Sequence, residues 1–291
     1  MRPLRLLADI GGTSSRWAWS PALDGSASFV YDGELPGLNP LHGDVAAFQA
    51  ALRTRLLQQH AELDAAEHVQ LYGAGCGDVA RADRLRQAIA PLFPKAFVEV
   101  ESDLLGAARS LFGEGQGLVL IVGTGMNAGY FANGGLHLPM PSLGYLLGDE
   151  GSGADIGRHF LRELLYGTVP DKVVQQIYGE ERPTVAGTLA RIHGAPSPAR
   201  ELAMVVQRLT QVRDHPWVHA LLLSRFTALV ERLQGAFRAE ELREARASGS
   251  VAAAFRVELE EALARAQIGL TEVVWDPMPG LVRHHFGPPA R

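Results

Sequence analysis

Residues 118–127 read Leu-Val-Leu-Ile-Val-Gly-Thr-Gly-Met-Asn, an apolar run that stops in a Gly-Thr-Gly turn. The run is rich in β-branched residues and too short for a helix, so it predicts a buried strand. The two glycines of the turn let the backbone approach a ligand closely, and a hydroxyl lies between them. Backbone N–H groups in such a turn can wrap a phosphate, although an ordinary hairpin can carry the same three residues.

A similar pattern opens the chain. Leu4–Ile10 reads as a strand, a glycine–hydroxyl turn follows at residues 11–15, and residues 16–20 read as a second strand. Residues 128–131 and the Asn-Gly turn at 133–134 extend the later stretch in the same way. Two strand–turn–strand patterns so far apart indicate an internal duplication of topology.

Strands and helices alternate between these two patterns. The spacing of apolar residues predicts a helix from Asp44 to about His60, a strand at 69–72, helical periodicity through Leu85 and Ile89, a strand at 97–100 and an apolar-faced segment at 104–112. This alternation predicts an α/β fold with a largely parallel or mixed sheet.

The second half of the chain has a different character. Residues 171–245 look mostly helical, and the Ala/Arg/Glu-rich stretch 238–247 is interpreted as a solvated helix face. Residues 249–251 read Gly-Ser-Val and precede an amphipathic helix through Leu263, and residues 273–275 predict a last short strand.

Composition limits the class of protein. Of the 291 residues, 47% are hydrophobic and 20% are charged, as in ordinary globular proteins. The net charge of -5 gives no electrostatic reason to expect nucleic acid or an anionic membrane as a partner. The single cysteine, Cys76, excludes an internal disulfide and fits a reducing compartment, and no apolar stretch approaches the length of a membrane span. We therefore expect a cytoplasmic protein.

Four features carry chemical groups. They are residues 9–13 (Asp-Ile-Gly-Gly-Thr), residues 123–125, Asp103 at a strand-to-helix junction, and residues 249–251 at the start of a late helix. Two phosphate-wrapping turns with an acid beside the first could hold a nucleoside triphosphate and its metal. A carboxylate at the end of a strand either caps the next helix or serves chemistry, and for Asp9 and Asp103 both interpretations stay open.

With these residues the chain resembles the sugar kinases of the actin-like ATPase superfamily. The similarity is to the N-acetylglucosamine kinase branch, which is grouped with the benzoyl-CoA reductase activator ATPases. Residues 7–14 match the first phosphate motif, 122–127 the second, and 249–252 the adenosine motif. Residues 144–153, which contain Gly-Asp-Glu-Gly-Ser, are the most specific match to this branch.

The resemblance implies an α/β fold of two ribonuclease-H-like lobes with a cleft between them. The N-terminal lobe would cover residues 1–115 and a larger C-terminal lobe residues 116–291, with the last segment, about 277–291, as a candidate to pack back on the N-terminal lobe. The implied ligands are ATP with Mg²⁺ and a small-molecule sugar, and the implied assembly is a homodimer.

The resemblance also assigns roles to single residues. Asp103 matches the general base that takes a proton from the sugar 6-hydroxyl, and Asp9 matches the acid that holds Mg²⁺ through water. The implied phosphate contacts are Gly11, Gly12, Thr13, Ser14, Gly123, Thr124 and Gly125, the implied adenosine contacts are Gly249 and Ser250, and the implied sugar contacts are Asn39, Thr124, Asn127 and Asp149.

Two positions depart from the family pattern. Met126 stands where a serine is common, and Leu143 stands where the animal enzymes carry an aromatic residue. The expected reaction is phosphorylation of N-acetylglucosamine to its 6-phosphate, with glucosamine or another hexose as the alternative substrate. The rival hypotheses are an activator or sensor ATPase without a sugar substrate and a sugar-binding module. A lone Cys76 cannot supply the cluster cysteines of the activators, so we expect a packed cysteine there.

Overall fold

The computed structural model describes residues 3–20, 28–31, 33–38, 40 and 43–287. The chain forms two compact units. The first comprises residues 1–115, 133–135 and 277–291, and the second comprises residues 116–132 and 136–276. Of the last segment, the described residues 277–287 belong to the first unit. Asn39, one of the implied sugar contacts, lies outside the described residues.

The strands are β1 (Leu4–Ile10), β2 (Ser14–Ser20), β3 (Phe29–Val30), β4 (Leu35–Pro36), β5 (Ala66–Gly73), β6 (Phe97–Ser102), β7 (Gly117–Val122), β8 (Met126–Ala132), β9 (Gly135–His137), β10 (Glu244–Ser248) and β11 (Gly269–Val274). The helices are α1 (Val45–Leu52), α2 (Val79–Ile89), α3 (Asp103–Phe112), α4 (Gly144–Leu147), α5 (Gly153–Tyr166), α6 (Asp171–Tyr178), α7 (Val185–Gly194), α8 (Pro198–Leu209), α9 (Pro216–Ala236), α10 (Ser250–Ala254), α11 (Arg256–Arg265) and α12 (Met278–Phe286).

The two sheets share one topology. In the first sheet β1 pairs antiparallel with β2 and parallel with β5, and β5 pairs parallel with β6. In the second sheet β7 pairs antiparallel with β8 and parallel with β10, and β10 pairs parallel with β11. The predicted α/β class and the predicted duplication of the strand–turn–strand pattern are confirmed.

The helices begin where the sequence offers capping side chains. Asp44 accepts a hydrogen bond from the Ala47 N–H and starts α1, Ser102 does the same for α3, and Ser152 for α5. The helix predicted from Asp44 to His60 is shorter than expected, because α1 ends at Leu52 and one π-helical turn, Arg53–Leu57, follows it.

The interpretation of residues 238–247 as a solvated helix face is wrong. Glu244–Ser248 form β10, which lies between β7 and β11 in the second sheet. Ala245 and Ala247 are fully buried, and the charged residues that alternate with them, Glu244 and Arg246, face the other side of the strand. Alanine has little intrinsic preference for strands, so the position at the centre of the sheet, and not propensity, makes this segment a strand.

Each unit has its own apolar core. In the first unit α12 packs on the sheet, where Met278, Leu281 and Phe286 meet Leu7 and Tyr72. In the second unit the core lies between the sheet and helices that include α5 and α9. Among the described residues, no helix combines the length and apolarity that crossing a membrane requires.

Candidate active site

In the first unit, three strand ends meet at one edge of the sheet. The register aligns Ile10 at the end of β1 with Gly73 at the end of β5, and Gly73 with Ser102 at the end of β6. Ligands of open α/β sheets bind beyond the carboxyl ends of the parallel strands. The turn after β1 and the residue after β6, Asp103, both leave the sheet from this edge.

The turn at residues 11–14 is supported from behind. The Gly11 N–H donates to the Ser14 carbonyl at 2.9 Å, and the Leu38 N–H donates to the Gly11 carbonyl at 3.1 Å. Gly37 packs so closely on this turn that a side chain there would overlap the Gly11 carbonyl. Gly12 and Ser14 are exposed, so the turn keeps an open face on which a phosphate can lie.

Asp9 lies near the end of β1, partly exposed, opposite Arg16 on β2 and Tyr72 on β5. Within the described ranges, no group of three or more His, Cys, Asp or Glu residues is arranged to hold a metal ion. Mg²⁺ commonly takes only one or two protein carboxylates and completes its shell with water and substrate phosphates. A single carboxylate near the end of β1, next to the open face of the turn at residues 11–14, fits that kind of site.

Asp103 is the first residue of α3 and is partly buried. One carboxylate oxygen accepts a hydrogen bond from the Leu104 N–H at 2.9 Å. Burial raises the pKa of Asp103 to about 6, and the hydrogen bonds from backbone N–H groups oppose that rise. The carboxylate is therefore mostly ionised near neutral pH and yet basic enough to accept a proton.

Cys76 lies near this acid. Burial raises the pKa of the Cys76 thiol to about 12, and the charge of Asp103 adds to the rise. Its side chain is buried, as expected for a packed cysteine. A thiol with so high a pKa is a poor nucleophile, so Cys76 is a packing residue.

In the second unit, the Gly-Thr-Gly turn joins β7 to β8. The carbonyl groups of Gly123 and Thr124 accept hydrogen bonds from Gly153 and Ala154 at 2.8 and 3.0 Å, and these donors are the first residues of α5. The Gly123 N–H donates to the Gly125 carbonyl at 3.0 Å within the turn. With the carbonyl groups of Gly123 and Thr124 bound by α5, the turn can offer the N–H groups of Thr124 and Gly125 and the Thr124 hydroxyl to a phosphate.

Gly249 lies against the end of β7, directly before this turn. Its φ of +120° is one that L side chains rarely adopt, and a Cβ atom built on it would lie 2.5 Å from the Val122 carbonyl oxygen. Ser250 follows as the first residue of α10. The motif assigned to adenosine and the second phosphate motif, far apart in sequence, are therefore in contact.

Asp149 lies against the Gly-Thr-Gly turn, next to Gly125. It is buried and has a positive φ of 57°, which is uncommon for a residue with a side chain. A methyl group built on Gly125 would lie 3.0 Å from its Oδ2 atom. Burial raises the pKa of Asp149 to about 6, against a hydrogen bond from the Met126 N–H, and the charges of Glu150 and Asp155 add to the rise.

A cavity of about 490 Å³ opens beside Asp149 within the second unit. Its lining includes Asn127 and Asp149, the two described residues for which the resemblance implies a role in sugar contact alone. Met126 and Leu143, which depart from the family pattern, line the same cavity. Both departures thus border the space where these two implied sugar contacts meet.

Sequence reasoning missed two charged residues behind this cavity. Asp155 is fully buried in the first turn of α5, and its Oδ2 atom accepts hydrogen bonds from the Gly151 N–H at 3.0 Å and from Arg225 Nε at 2.8 Å. Its neighbours Arg158 and His159, three and four residues later on the helix, were the available signal for a buried acid. Arg225 comes from α9, and no local pattern connects it with Asp155.

No protein-family model and no curated protein sequence matches this chain. Among solved structures, a presumed N-acetylglucosamine kinase from Porphyromonas gingivalis is 31% identical and superposes with a TM-score of 0.82, over 97% of this chain and 98% of that one. A presumed N-acetylglucosamine kinase from Chromobacterium violaceum is 20% identical with a TM-score of 0.66, at 97% and 98% coverage.

A third similar structure is a ROK family glucokinase from Streptomyces griseus in complex with glucose and AMPPNP. It is 15% identical with a TM-score of 0.51, at 97% and 98% coverage. At this level of identity it shares the fold alone, as does the protein from Chromobacterium violaceum. The likeness to the protein from Porphyromonas gingivalis extends to sequence over nearly the full length of both chains.

Proposed function

Because this chain belongs to the N-acetylglucosamine kinase family of the actin-like ATPase superfamily, whose members are ATP-dependent sugar kinases, we propose that it phosphorylates an amino sugar on its 6-hydroxyl. The proposed substrate is N-acetylglucosamine and the product its 6-phosphate. The similar protein from Porphyromonas gingivalis is described as a presumed N-acetylglucosamine kinase, which supports this choice of substrate.

One observation carries the proposal. Asn127 and Asp149 line one cavity, and Asp149 lies directly against Gly125 of the phosphate-wrapping turn. An amide and a carboxylate offer the donors and acceptors that sugar hydroxyls require. The cavity of about 490 Å³ falls in the range of small-molecule sites.

Asp103 is proposed as the general base. Its raised pKa, about 6, leaves it ionised at neutral pH and able to take the proton of the 6-hydroxyl as the phosphate is transferred. A positioned base of this kind contributes about 10²–10⁴ to the rate. The protein forms no covalent intermediate in this proposal, since phosphoryl transfer depends mainly on positioning the substrates and on neutralising the charge of the phosphates.

The two turns are proposed as the phosphate contacts. Residues 11–14 and 123–125 would hold the phosphates through N–H groups and the hydroxyls of Thr13 and Thr124, and Gly249 with Ser250 would adjoin the adenosine. Asp9 would hold Mg²⁺ through water, and the ion would neutralise developing charge on the phosphates.

Glucosamine is the second candidate substrate, and the charge of the cavity favours it. Three carboxylate residues, Asp149, Glu150 and Glu231, line the cavity with one guanidinium, that of Arg232. An excess of carboxylates favours a cationic ammonium group over a neutral acetamide. Leu143 also occupies the position where the animal enzymes carry an aromatic residue, so the acetyl group has no aromatic partner at that position.

The proposal is tested by a substrate panel. The purified protein is incubated with MgATP and, separately, with N-acetylglucosamine, glucosamine, N-acetylmannosamine and glucose, and sugar phosphates are identified by mass spectrometry and ³¹P NMR. The expected result is a 6-phosphate, with the highest kcat/KM for N-acetylglucosamine. A preference for glucosamine would select the second candidate.

The same assay separates the kinase from an activator ATPase. ATP hydrolysis that no sugar stimulates, with no sugar phosphate formed, would overturn the kinase proposal. Binding of a sugar without any turnover of ATP would instead indicate a sugar-binding module.

A further inference from the structure

A buried ionic cluster lies behind the loop that carries Asp149. Its centre is Asp155, which is fully buried in the first turn of α5. Four groups reach this carboxylate: the Gly151 N–H at 3.0 Å, Arg158 Nη2 at 2.9 Å, Arg225 Nε at 2.8 Å and His159 Nδ1 at 3.2 Å. A buried carboxylate with this many donors is held in one geometry, because losing any donor would leave charge uncompensated.

Arg225 brings a second helix to the same loop. It lies on α9, 70 residues from Asp155 in sequence, and its side chain is only 18% exposed. The neighbouring α9 residues Phe226 and Leu229 pack directly on Gly151. The loop is thus attached to α5 and α9 at Gly151, and a second α9 residue, Arg232, pairs with Glu150 at 3.4 Å.

Asp149 lies two residues before Gly151, and its backbone conformation requires support from the surrounding structure. Its positive φ is costly for a residue with a Cβ atom, and strained conformations persist only where the surrounding structure determines them. On one side the Met126 N–H holds the Asp149 carboxylate. On the other side the Ser152 N–H donates to the Asp149 carbonyl at 3.0 Å, and the chain between these two residues passes through Gly151, which Asp155 holds.

We infer that Asp155 and Arg225 are positioning residues for the sugar cavity, which fix Gly151 and thereby the place of the Asp149 carboxylate. The inference rests on the proposed role of Asp149 in binding sugar. Displacement of a binding group by about 1 Å can lower catalysis roughly 10²-fold, so a cluster that touches no substrate can still govern the affinity for it.

The cluster is a fixed anchor and not a pH switch. Burial acts to raise the pKa of Asp155, but hydrogen bonds from His159, Arg225 and Gly151 outweigh it and hold that pKa well below its usual range. Arg158 also faces the carboxylate from its own helix. Asp155 is therefore charged near neutral pH, and its charge adds to the raised pKa of Asp149.

The test uses the full-length protein with Asp155→Asn, Arg225→Gln and the milder Arg225→Lys. The matched control is Asp83→Asn, which removes an exposed i,i+3 ion pair with Arg86 of the same 2.8 Å length. We expect the sugar KM to rise at least about 10-fold in the first two variants and less in Arg225→Lys, with the ATP KM within about twofold of the wild type. The control should match the wild type.

Hydrogen–deuterium exchange over residues 148–152 supplies a readout that needs no sugar. Exchange should increase in Asp155→Asn and Arg225→Gln, because the side chain that accepts from the Gly151 N–H is no longer held in place by its ion pair. If either of these variants fails to fold, Arg225→Lys keeps the charge and decides the question with the same two measurements.

The two possible failures are distinguishable. A wild type that phosphorylates no sugar would overturn the proposed function. Folded variants with unchanged sugar KM and unchanged exchange over 148–152, in an active enzyme, would overturn the positioning role alone.

Discussion

The backbone N–H of Met126 donates a hydrogen bond to the carboxylate of Asp149. Met126 directly follows the Gly-Thr-Gly turn, and its side chain is 6% exposed in the core of the second unit. The same residue also borders the cavity that Asp149 lines. The main chain of Met126 therefore binds Asp149, while its side chain packs in the core. A serine at this position would keep the hydrogen bond to Asp149 and lose the packing.

Met126→Ser should destabilise the protein without raising its kcat. Removing a buried thioether chain and burying a hydroxyl should cost about 2–4 kcal/mol in the free energy of unfolding. Urea unfolding and kcat measure the two effects. Met204→Ser is the matched control, because Met204 is 56% exposed and should change neither quantity appreciably. A higher kcat at unchanged stability would instead show that a phosphate ligand is missing at this position.

Asp103→Asn should lose phosphoryl transfer and keep substrate binding. An amide of the same shape cannot accept the hydroxyl proton, so kcat should fall by about 10²–10⁴. Steady-state kinetics and calorimetric titration with sugar measure the two properties. Asp171→Asn is the control, since Asp171 is also the first residue of a helix, α6, but is exposed. Near-normal kcat in Asp103→Asn would remove Asp103 as the base.

The activity should fall in acid. Burial raises the pKa of Asp103 and of Asp149 to about 6, and in the proposed reaction both act as carboxylates. The rate constant kcat/KM should be level above about pH 7 and decline as the pH drops through 6, when each carboxylate gains a proton.

The slope of that decline shows how many carboxylates must be ionised for activity. With two required carboxylates, kcat/KM should approach a roughly 100-fold loss per pH unit well below pH 6, and in Asp149→Asn about 10-fold. Measurements from pH 4.5 to 8.5 on both proteins test this. An activity that stays level down to pH 5 would contradict the raised pKa values.

Gly249→Ala should weaken ATP binding. The new Cβ atom would meet the Val122 carbonyl, and the positive φ adds strain of about 1–3 kcal/mol, so the end of β7 and the adjoining turn must shift. The ATP KM should rise and the melting temperature fall. In Gly167→Ala, where φ is +75° and no atom lies within 4 Å of the new Cβ, only strain remains and the ATP KM should be unchanged. Equal effects in the two variants would show that contact with Val122 is unimportant.

Local sequence signals were sufficient for much of the fold. The bounds predicted for the first strand agree with β1, and the capping residue Asp44 and the strand of residues 118–122 lie where expected. In these segments the period of apolar residues, the turn glycines and the caps all indicate the same structure. The repeated strand–turn–strand pattern was visible for the same reason, and with it the resemblance to a two-lobed kinase.

Tertiary structure alone decided the rest. Residues 244–248 are a central strand because they pair with β7 on one side and β11 on the other and bury Ala245 and Ala247, whereas alanine, arginine and glutamate by themselves favour a helix. The contact of Gly249 with Val122 and the ion pair of Asp155 with Arg225 join residues that share no local pattern. The chain by itself determined which segments are strands, turns and helices wherever short-range periodicity is strong. Which distant residues meet around the Gly-Thr-Gly turn was decided only by packing, since burial and charge pairing act across space and leave no period in the sequence.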